Sequence, residues 1–360
     1  MTRSDEETTA LMQRSYLRPL APLPPGTTRS NAPSAIFVGG GGNGFAGVEI
    51  ATRAGASATR RIVTAAEARA DTDPAVSQVI SAIEAPRAPV AGLTLDRPRL
   101  MGIVNVTPDS FSDGGQFFDA GAAVDHALRL EAEGADILDI GGESTRPGAD
   151  PLDPEEECRR VVPVIDALAR QTKARLSIDT RNALVMQRAI DAGVHIVNDV
   201  SALQHDPDSL RVVAGMRVPV ILMHMLGTPK TMQANPTYDD VVLDVTDFLA
   251  ARIAACEAAG IARDRVIVDP GIGFGKTLRH NLALMHALAG LHGLGTPVLL
   301  GASRKSFLVK LMTEVGAQPP QDRVAGSVAA ALIGAQQGAQ ILRVHDVAAT
   351  RQALAVQQTA

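Results

Sequence analysis

Tryptophan is absent from this chain, tyrosine occurs only as Tyr16 and Tyr238, and aromatic residues fill 3% of 360 positions. A protein that holds single-stranded nucleic acid by stacking its bases needs more aromatic platforms than that. Basic charge does not offer an alternative: 34 Lys and Arg face 39 Asp and Glu, the net charge is −5, and no basic stripe is visible, which argues against a nucleic-acid partner. Cysteine is equally scarce. Cys158 and Cys256 stand far apart in helix-like stretches, without zinc-ligand spacing and too few for a disulfide framework, and this predicts a reducing cytoplasm. No apolar run approaches the length of a membrane span, and Asp5, Glu6 and Glu7 occupy the place where a secretion signal carries basic residues before its apolar core. What the chain has in quantity is hydrophobic residues, 46% of the total, ample for one large domain with an appendage or for two ordinary ones.

Residues 1–91 differ in texture from the rest. A proline-rich entry (Pro19, Pro22, Pro24, Pro25) leads to a glycine-rich run at 39–47, set between short apolar pieces at 35–38 and 48–51. These features predict a small, irregular α+β extension of unknown role. Thr64-Ala-Ala-Glu67 has the form of a helix capping box, and Val76, Val79, Ile80 and Ile83 follow helical spacing, so a helical region is expected there. Pro86 and Pro89 mark a linker. From residue 92 to 360 apolar runs of four to seven residues alternate with amphipathic stretches of 12 or more, the pattern of repeated βα units. Strands are expected near 100–105, 136–141, 175–179, 195–199, 218–223, 265–269, 297–301 and 340–344, with a helix after each. Eight such units predict an α/β protein of the (β/α)₈ TIM-barrel class rather than an open doubly wound sheet.

In a barrel of this kind chemistry gathers at the carboxyl ends of the strands, and polar residues are found there in every unit but the fifth. Strand one ends in Asn105 and opens the stretch 102–115, GIVNVTPDSFSDGG. Strand two runs into 141–148, GGESTRPG, strand three ends at Asp179 and strand four at Asn198. Strand six delivers Asp269 and the run 271–276, GIGFGK, strand seven Ser303, Arg304 and Lys305, and strand eight Arg343 and His345. Ile267 and Asp269 share a face, as do Ile196 and Asn198, and Arg343 and His345, so inward apolar partners would leave the polar ones topping a pocket.

Block by block and in the same order, these segments resemble dihydropteroate synthase, the pterin-binding barrel family of folate biosynthesis, over about 93–357. The resemblance implies that the chain joins 6-hydroxymethyl-7,8-dihydropterin diphosphate to p-aminobenzoate. It implies a pterin slot made by Asp179, Asn198, Asp269 and Lys305, lined by Met223, Gly273 and Phe274. Thr145, Arg146, Ser303, Arg343 and His345 would meet the diphosphate and the arylamine, and Asn105 would ligate Mg²⁺. It names Asp179, Lys305, Arg343 and His345 as catalytic, places the 107–115 loop over the site, and implies a homodimer through carboxyl-terminal helices. A flat pterin with a row of donors and acceptors does need carboxylates and amides at the rim of an apolar slot. Departure of diphosphate, here expected to be dissociative, builds negative charge that cations stabilise.

Each residue also has a plainer reading. A single strand-end Asp such as Asp179 is more often a helix cap, His345 can cap the last helix, Lys305 can be solvated, and 145–148 can be a simple turn. Arg304 and Arg343 tilt their neighbours towards anion binding. The alternating glycines of 271–276 lack the spacing of a nucleotide phosphate loop. Residues 42–47, GNGFAG, match a dinucleotide fingerprint, but the 48–52 run reads as a strand, which favours a glycine-rich hairpin. Met223, His224 and Met225 carry soft-metal ligand types that ordinarily serve packing. Two rival functions remain: a pterin-binding methyltransferase serving a corrinoid protein, and a pterin-binding paralogue without turnover.

Overall fold

A computed structural model describes residues 13–106, 120–144, 148–316 and 322–359. Thr145, Arg146 and the 107–115 loop lie outside them. Eight parallel strands carry the larger part of the chain: β5 (Arg99–Asn105), β6 (Ile137–Gly141), β7 (Arg175–Asp179), β8 (Ile196–Asp199), β9 (Val220–Met223), β10 (Val266–Asp269), β11 (Leu299–Leu300) and β12 (Ile341–Val344). Their order is β10-β9-β8-β7-β6-β5-β12-β11. A parallel bridge between Val268 and Val298, with the Val268 N–H donating to the Pro297 carbonyl at 3.0 Å, joins the two ends and closes the barrel. Each strand is buried on both faces, which is why the sequence shows it as a continuous apolar run.

Helices return the chain between strands: α3 (Ala120–Glu133), α4 (Pro154–Ala169), α5 (Ala183–Asp191), α6 (Ser209–Met216), α7 (Val241–Ala258), α8 (Leu278–His286), α9 (Ser306–Glu314), α10 (Val324–Gln336) and α11 (Val347–Thr359). Local sequence starts them. At α4, Asp153 accepts from the backbone N–H groups of Glu155 and Glu156, Pro154 occupies the first position, and three glutamates complement the helix dipole. Gly134 and Gly193, at φ 111° and 113°, end α3 and α5 in a conformation other residues resist. None of these described helices is long and apolar enough to cross a membrane.

Inside the barrel, Met101, Ile137, Ile196, Ile221, Ile267, Leu299 and Ile341 form an apolar layer at the amino-terminal end. Val90 and Leu93 plug it from below. They are paired across a two-residue turn of Ala91 (φ 48°) and Gly92 (φ 81°), the backbone of a tight hairpin. Arg99 and Arg175 stand in register with Ile341 and Ile137 of this layer, and the carboxylates and amides of the strand ends lie above it.

The extension is more regular than its prolines suggest. β1 (Gln13–Pro22), β2 (Ile36–Phe37), β3 (Gly44–Ala54) and β4 (Ser57–Thr64) form an antiparallel sheet, followed by α1 (Ala65–Arg69) and α2 (Pro74–Glu84). Strand β1 has no apolar alternation strong enough to announce it in the sequence. Its prolines are accommodated because β1 is an edge strand with one neighbour, β3. The Thr64–Glu67 capping box forms, and the glycine-rich run is the β2–β3 hairpin with strand on both sides, so a dinucleotide fingerprint does not form there. Leu17, Ile36, Phe45, Val48, Val76 and Ile80 make a separate core that also takes in Ala289 from the barrel side.

Candidate active site

Strand register sets the site. Asn105 pairs with Gly141, Gly141 with Asp179, and Asp179 with Asn198, so one row crosses four strands at their carboxyl ends. One inward position lower, Asp139 pairs with Ser177. On the far side, the space above Gly301 is shared by three groups: a Cβ there would sit 3.6 Å from Asp269 Oδ2 and 3.8 Å from both Lys305 Nζ and Arg343 Cβ. The expected residues Asp179, Asn198, Asp269, Lys305 and Arg343 are thus brought together at the carboxyl ends of the strands.

Arg343 organises its charges. Its Nε donates to Asp139 Oδ2 at 2.6 Å and its Nη2 to Asp179 Oδ2 at 2.7 Å, while Asn198 Nδ2 donates to Asp139 Oδ2 at 3.0 Å. Oδ1 of each aspartate is buried without a protein partner. Such orphaned acceptors each cost about 1–3 kcal/mol, and they mark where a ligand's donors fit. Burial pushes the Asp179 carboxyl above the ordinary range against the pull of Arg343. Burial raises Asp269 too, opposed by Lys305 and by the Gly271 N–H, which donates to Asp269 Oδ1 at 2.7 Å. Lys305 is held down to about 8, again by burial. Its ammonium donates to the Ile272 carbonyl and stands 4.6 Å from the centre of the Phe274 ring.

The 271–276 turn is a fixed wall. Gly271 (φ 68°) admits no side chain, since a Cβ would lie 1.9 Å from the His224 carbonyl oxygen. The N–H groups of Gly271, Gly273 and Phe274 are bound by Asp269, Asn281 and the Gly271 carbonyl, which leaves no phosphate cradle. Buried Lys276 donates to the carbonyls of His224 and Phe274, at 3.2 and 2.9 Å, and lies 2.9 Å from His224 Nδ1. Burial lowers His224 to about 3 and Lys276 to about 7. The Nδ1 atom of His224 is therefore engaged by the Lys276 ammonium. Met223 is buried at the end of β9 beside Gly271.

Ser303 and His345 form a pair at the rim. The His345 N–H donates to Ser303 Oγ at 3.2 Å, and His345 Nδ1 lies 3.0 Å from the same oxygen. Arg304 departs from expectation. Its Nε donates to Asp346 at 3.0 Å and its backbone is left-handed at φ 55°, so its charge is paired with a carboxylate.

Known proteins are similar to this chain over the barrel. Residues 101–345 match the family described as pterin binding enzyme. The dihydropteroate synthase of Escherichia coli K12 is 48% identical over 264 residues, which cover 73% of this chain and 92% of that protein. The chain belongs to the dihydropteroate synthase family. Two solved dihydropteroate synthases are similarly related. The enzyme from Yersinia pestis with a sulfonamide drug is 49% identical with a TM-score of 0.70, covering 74% of this chain and 95% of that one. The enzyme from Xanthomonas albilineans with 7,8-dihydropteroate is 53% identical with a TM-score of 0.66, over 74% and 95%.

Dihydropteroate synthase family membership accounts for the barrel and leaves out the amino-terminal sheet, which precedes residue 101. Two residues of the site escaped the sequence reading. Asp139 sits mid-strand within Ile137–Gly141, not at a carboxyl end, although its alternation with Ile137 and Gly141 aims it inward. Lys276 follows alternating glycines whose spacing gives its side chain no role in the sequence.

Proposed function

We propose that the chain condenses 6-hydroxymethyl-7,8-dihydropterin diphosphate with p-aminobenzoate to give 7,8-dihydropteroate and diphosphate. The observation that carries this reading is the pair of buried, unpartnered Oδ1 atoms of Asp139 and Asp179 at the base of the pocket. A pterin edge rich in N–H donors satisfies both acceptors, and its flat body fits between the Met223 floor and the Phe274 and Gly273 wall. Asn198, Asp269 and Lys305 bind its remaining polar edge. The relative that holds 7,8-dihydropteroate supports the same assignment.

In this reading Ser303, Arg343 and His345 meet the departing diphosphate, and the same role is proposed for Thr145 and Arg146. As the C–O bond lengthens, positive charge develops on the pterin methylene and negative charge on the departing oxygens. Arg343 favours the second through its guanidinium, and Asp179 and Asp139 favour the first. The neutral amine of p-aminobenzoate then attacks the methylene, forming the C–N bond as the C–O bond is lost, and gives up its proton to solvent. No enzyme nucleophile is needed.

Among the described residues no group of three or more His, Cys, Asp or Glu could cage a metal. Asn105 offers one hard oxygen donor beside Gly141, a set that fits Mg²⁺ arriving with the diphosphate rather than a resident ion. When bound, Mg²⁺ would neutralise charge on the leaving group. The reading carries with it a cytoplasmic location, a homodimer and competition by sulfonamides with p-aminobenzoate. Turnover of the pterin diphosphate with p-aminobenzoate, followed by release of diphosphate, tests it; no product formation with both substrates saturating and Mg²⁺ present overturns it.

A further inference from the structure

The charged hold of the amino-terminal sheet on the barrel gathers at one helix, and that helix leads into the pterin slot. At the start of α7, Asp244 accepts from Arg53 Nη1 at 2.7 Å, and Asp247 accepts from Arg53 Nη1 at 3.0 Å, from Arg14 Nη1 at 2.9 Å and from the Tyr16 hydroxyl at 2.7 Å. Arg60 pairs with Asp240, the helix cap. Apolar packing holds the sheet beside this point, at Ala289. A cavity of about 470 Å³ opens between β1 and the first turn of α7, walled by Leu17, Val79, Val242 and Leu243.

From α7 the contacts continue inward without a gap. Asp244 Oδ2 accepts the backbone N–H groups of Asp239 and Asp240, at 3.0 and 3.2 Å, which fixes the chain just after Tyr238. The Tyr238 hydroxyl donates to the Gly275 carbonyl at 2.7 Å. Phe248, next to Asp247, sets its ring edge-on to His224 with centroids 4.8 Å apart. His224 and Gly275 belong to the walls that Lys276 ties together, and Phe274 and the Lys305 ammonium stand on those walls.

We propose that the amino-terminal sheet is a positioning element for the pterin slot, acting through Arg53 and Tyr16 on α7 and through Tyr238 and Phe248 on the 271–276 turn. The inference rests on the synthase reading. It confines the effect of Arg53 and Tyr16 to the pterin side, because neither bonds β11 or β12, on which the Ser303 and His345 rim hangs; the separate hold of Asn43 Nδ2 on the carbonyls of Ala335 and Gln336, ahead of β12, stays intact in these variants. The acidic first turn of α7 remains favourable to the helix dipole without its arginines, so the helix itself survives their removal.

The test uses the full chain with Arg53→Met, Arg53→Lys and Tyr16→Phe. Each variant is measured for kcat, for the KM of each substrate with the other saturating, and for melting temperature. Arg53→Met should raise the KM for pterin diphosphate about fivefold while the KM for p-aminobenzoate stays within about twofold, and Arg53→Lys should restore most of the difference. Parallel changes in both KM values, or a lowered melting temperature with both KM values unchanged, would overturn the proposal and leave the sheet a stabiliser only. Should Arg53→Met fail to fold, Tyr16→Phe decides, since it removes one hydroxyl and should raise only the pterin KM. A wild-type chain without synthase turnover sinks the functional reading and this inference together, whereas an active wild type matched by all three variants sinks the inference alone.

Discussion

Arg343 bridges two aspartates of the barrel interior, with Nε on Asp139 at 2.6 Å and Nη2 on Asp179 at 2.7 Å. Asp139 is fully buried, so its charge is tolerated because Arg343 and Asn198 answer it. Asp139→Asn keeps the volume and removes the charge. Stability should fall by about 3 kcal/mol at most, since Arg343 retains Asp179, and kcat/KM should fall about a hundredfold as the guanidinium shifts from the leaving-group side. Denaturant midpoints and steady-state kinetics check both numbers. Wild-type turnover in this variant would remove Asp139 from the site.

Asp179→Asn and Lys305→Ala should each lower turnover by at least about a hundredfold with the fold intact, because each removes a group facing the pocket rather than core volume. Lys305 also predicts a pH dependence. Burial lowers its folded pKa to about 8, below the value of an exposed lysine, so the unfolded chain binds more protons between those values and stability rises with pH through that window. Activity moves the other way, as the ammonium over Phe274 is lost above about pH 8. Arg stays protonated throughout, so Lys305→Arg should abolish the alkaline fall in kcat/KM. An unchanged alkaline limb in that variant would assign the fall to another group.

The eight strands were legible because burial on both faces writes each as an apolar run, and the strand-end residues were legible because the barrel places function there. Asp139 was hidden by the same regularity: it lies inside such a run, and only its alternation with Ile137 and Gly141 reveals its direction. β1 was hidden by Pro19 and Pro22, which an edge strand admits. Contacts such as Tyr16 to Asp247 join residues 231 positions apart and leave no periodic trace in either segment. The orphaned oxygens of Asp139 and Asp179 depend on the closed barrel and have no counterpart in sequence.

Metal dependence should follow the substrate rather than the fold. With Asn105 as the single hard donor proposed, chelation of Mg²⁺ should abolish turnover and leave the melting temperature of the free protein within about a degree, because no protein cage loses a ligand. Added diphosphate should raise the melting temperature only when Mg²⁺ is present. A large drop in melting temperature on chelation of the free protein would instead reveal a resident ion.

Gly271 offers the sharpest test of the wall that faces the pterin slot. Its φ of 68° already disfavours a side chain, and a Cβ would approach the His224 carbonyl oxygen to 1.9 Å. That carbonyl also accepts from Lys276, and the His224 N–H donates to the Asp269 carbonyl at 3.1 Å, so the backbone has little room to retreat. Gly260 is the control, with φ 86° and nothing within 4 Å of an added Cβ. Gly260→Ala should therefore cost about 1 kcal/mol from backbone strain alone, while Gly271→Ala should cost about 2–4 kcal/mol and lower turnover more than about tenfold by displacing Phe274 and Lys276. Equal denaturant midpoints for the two variants would mean that the 271–276 turn yields easily, and a yielding turn could not serve as the fixed wall of the slot.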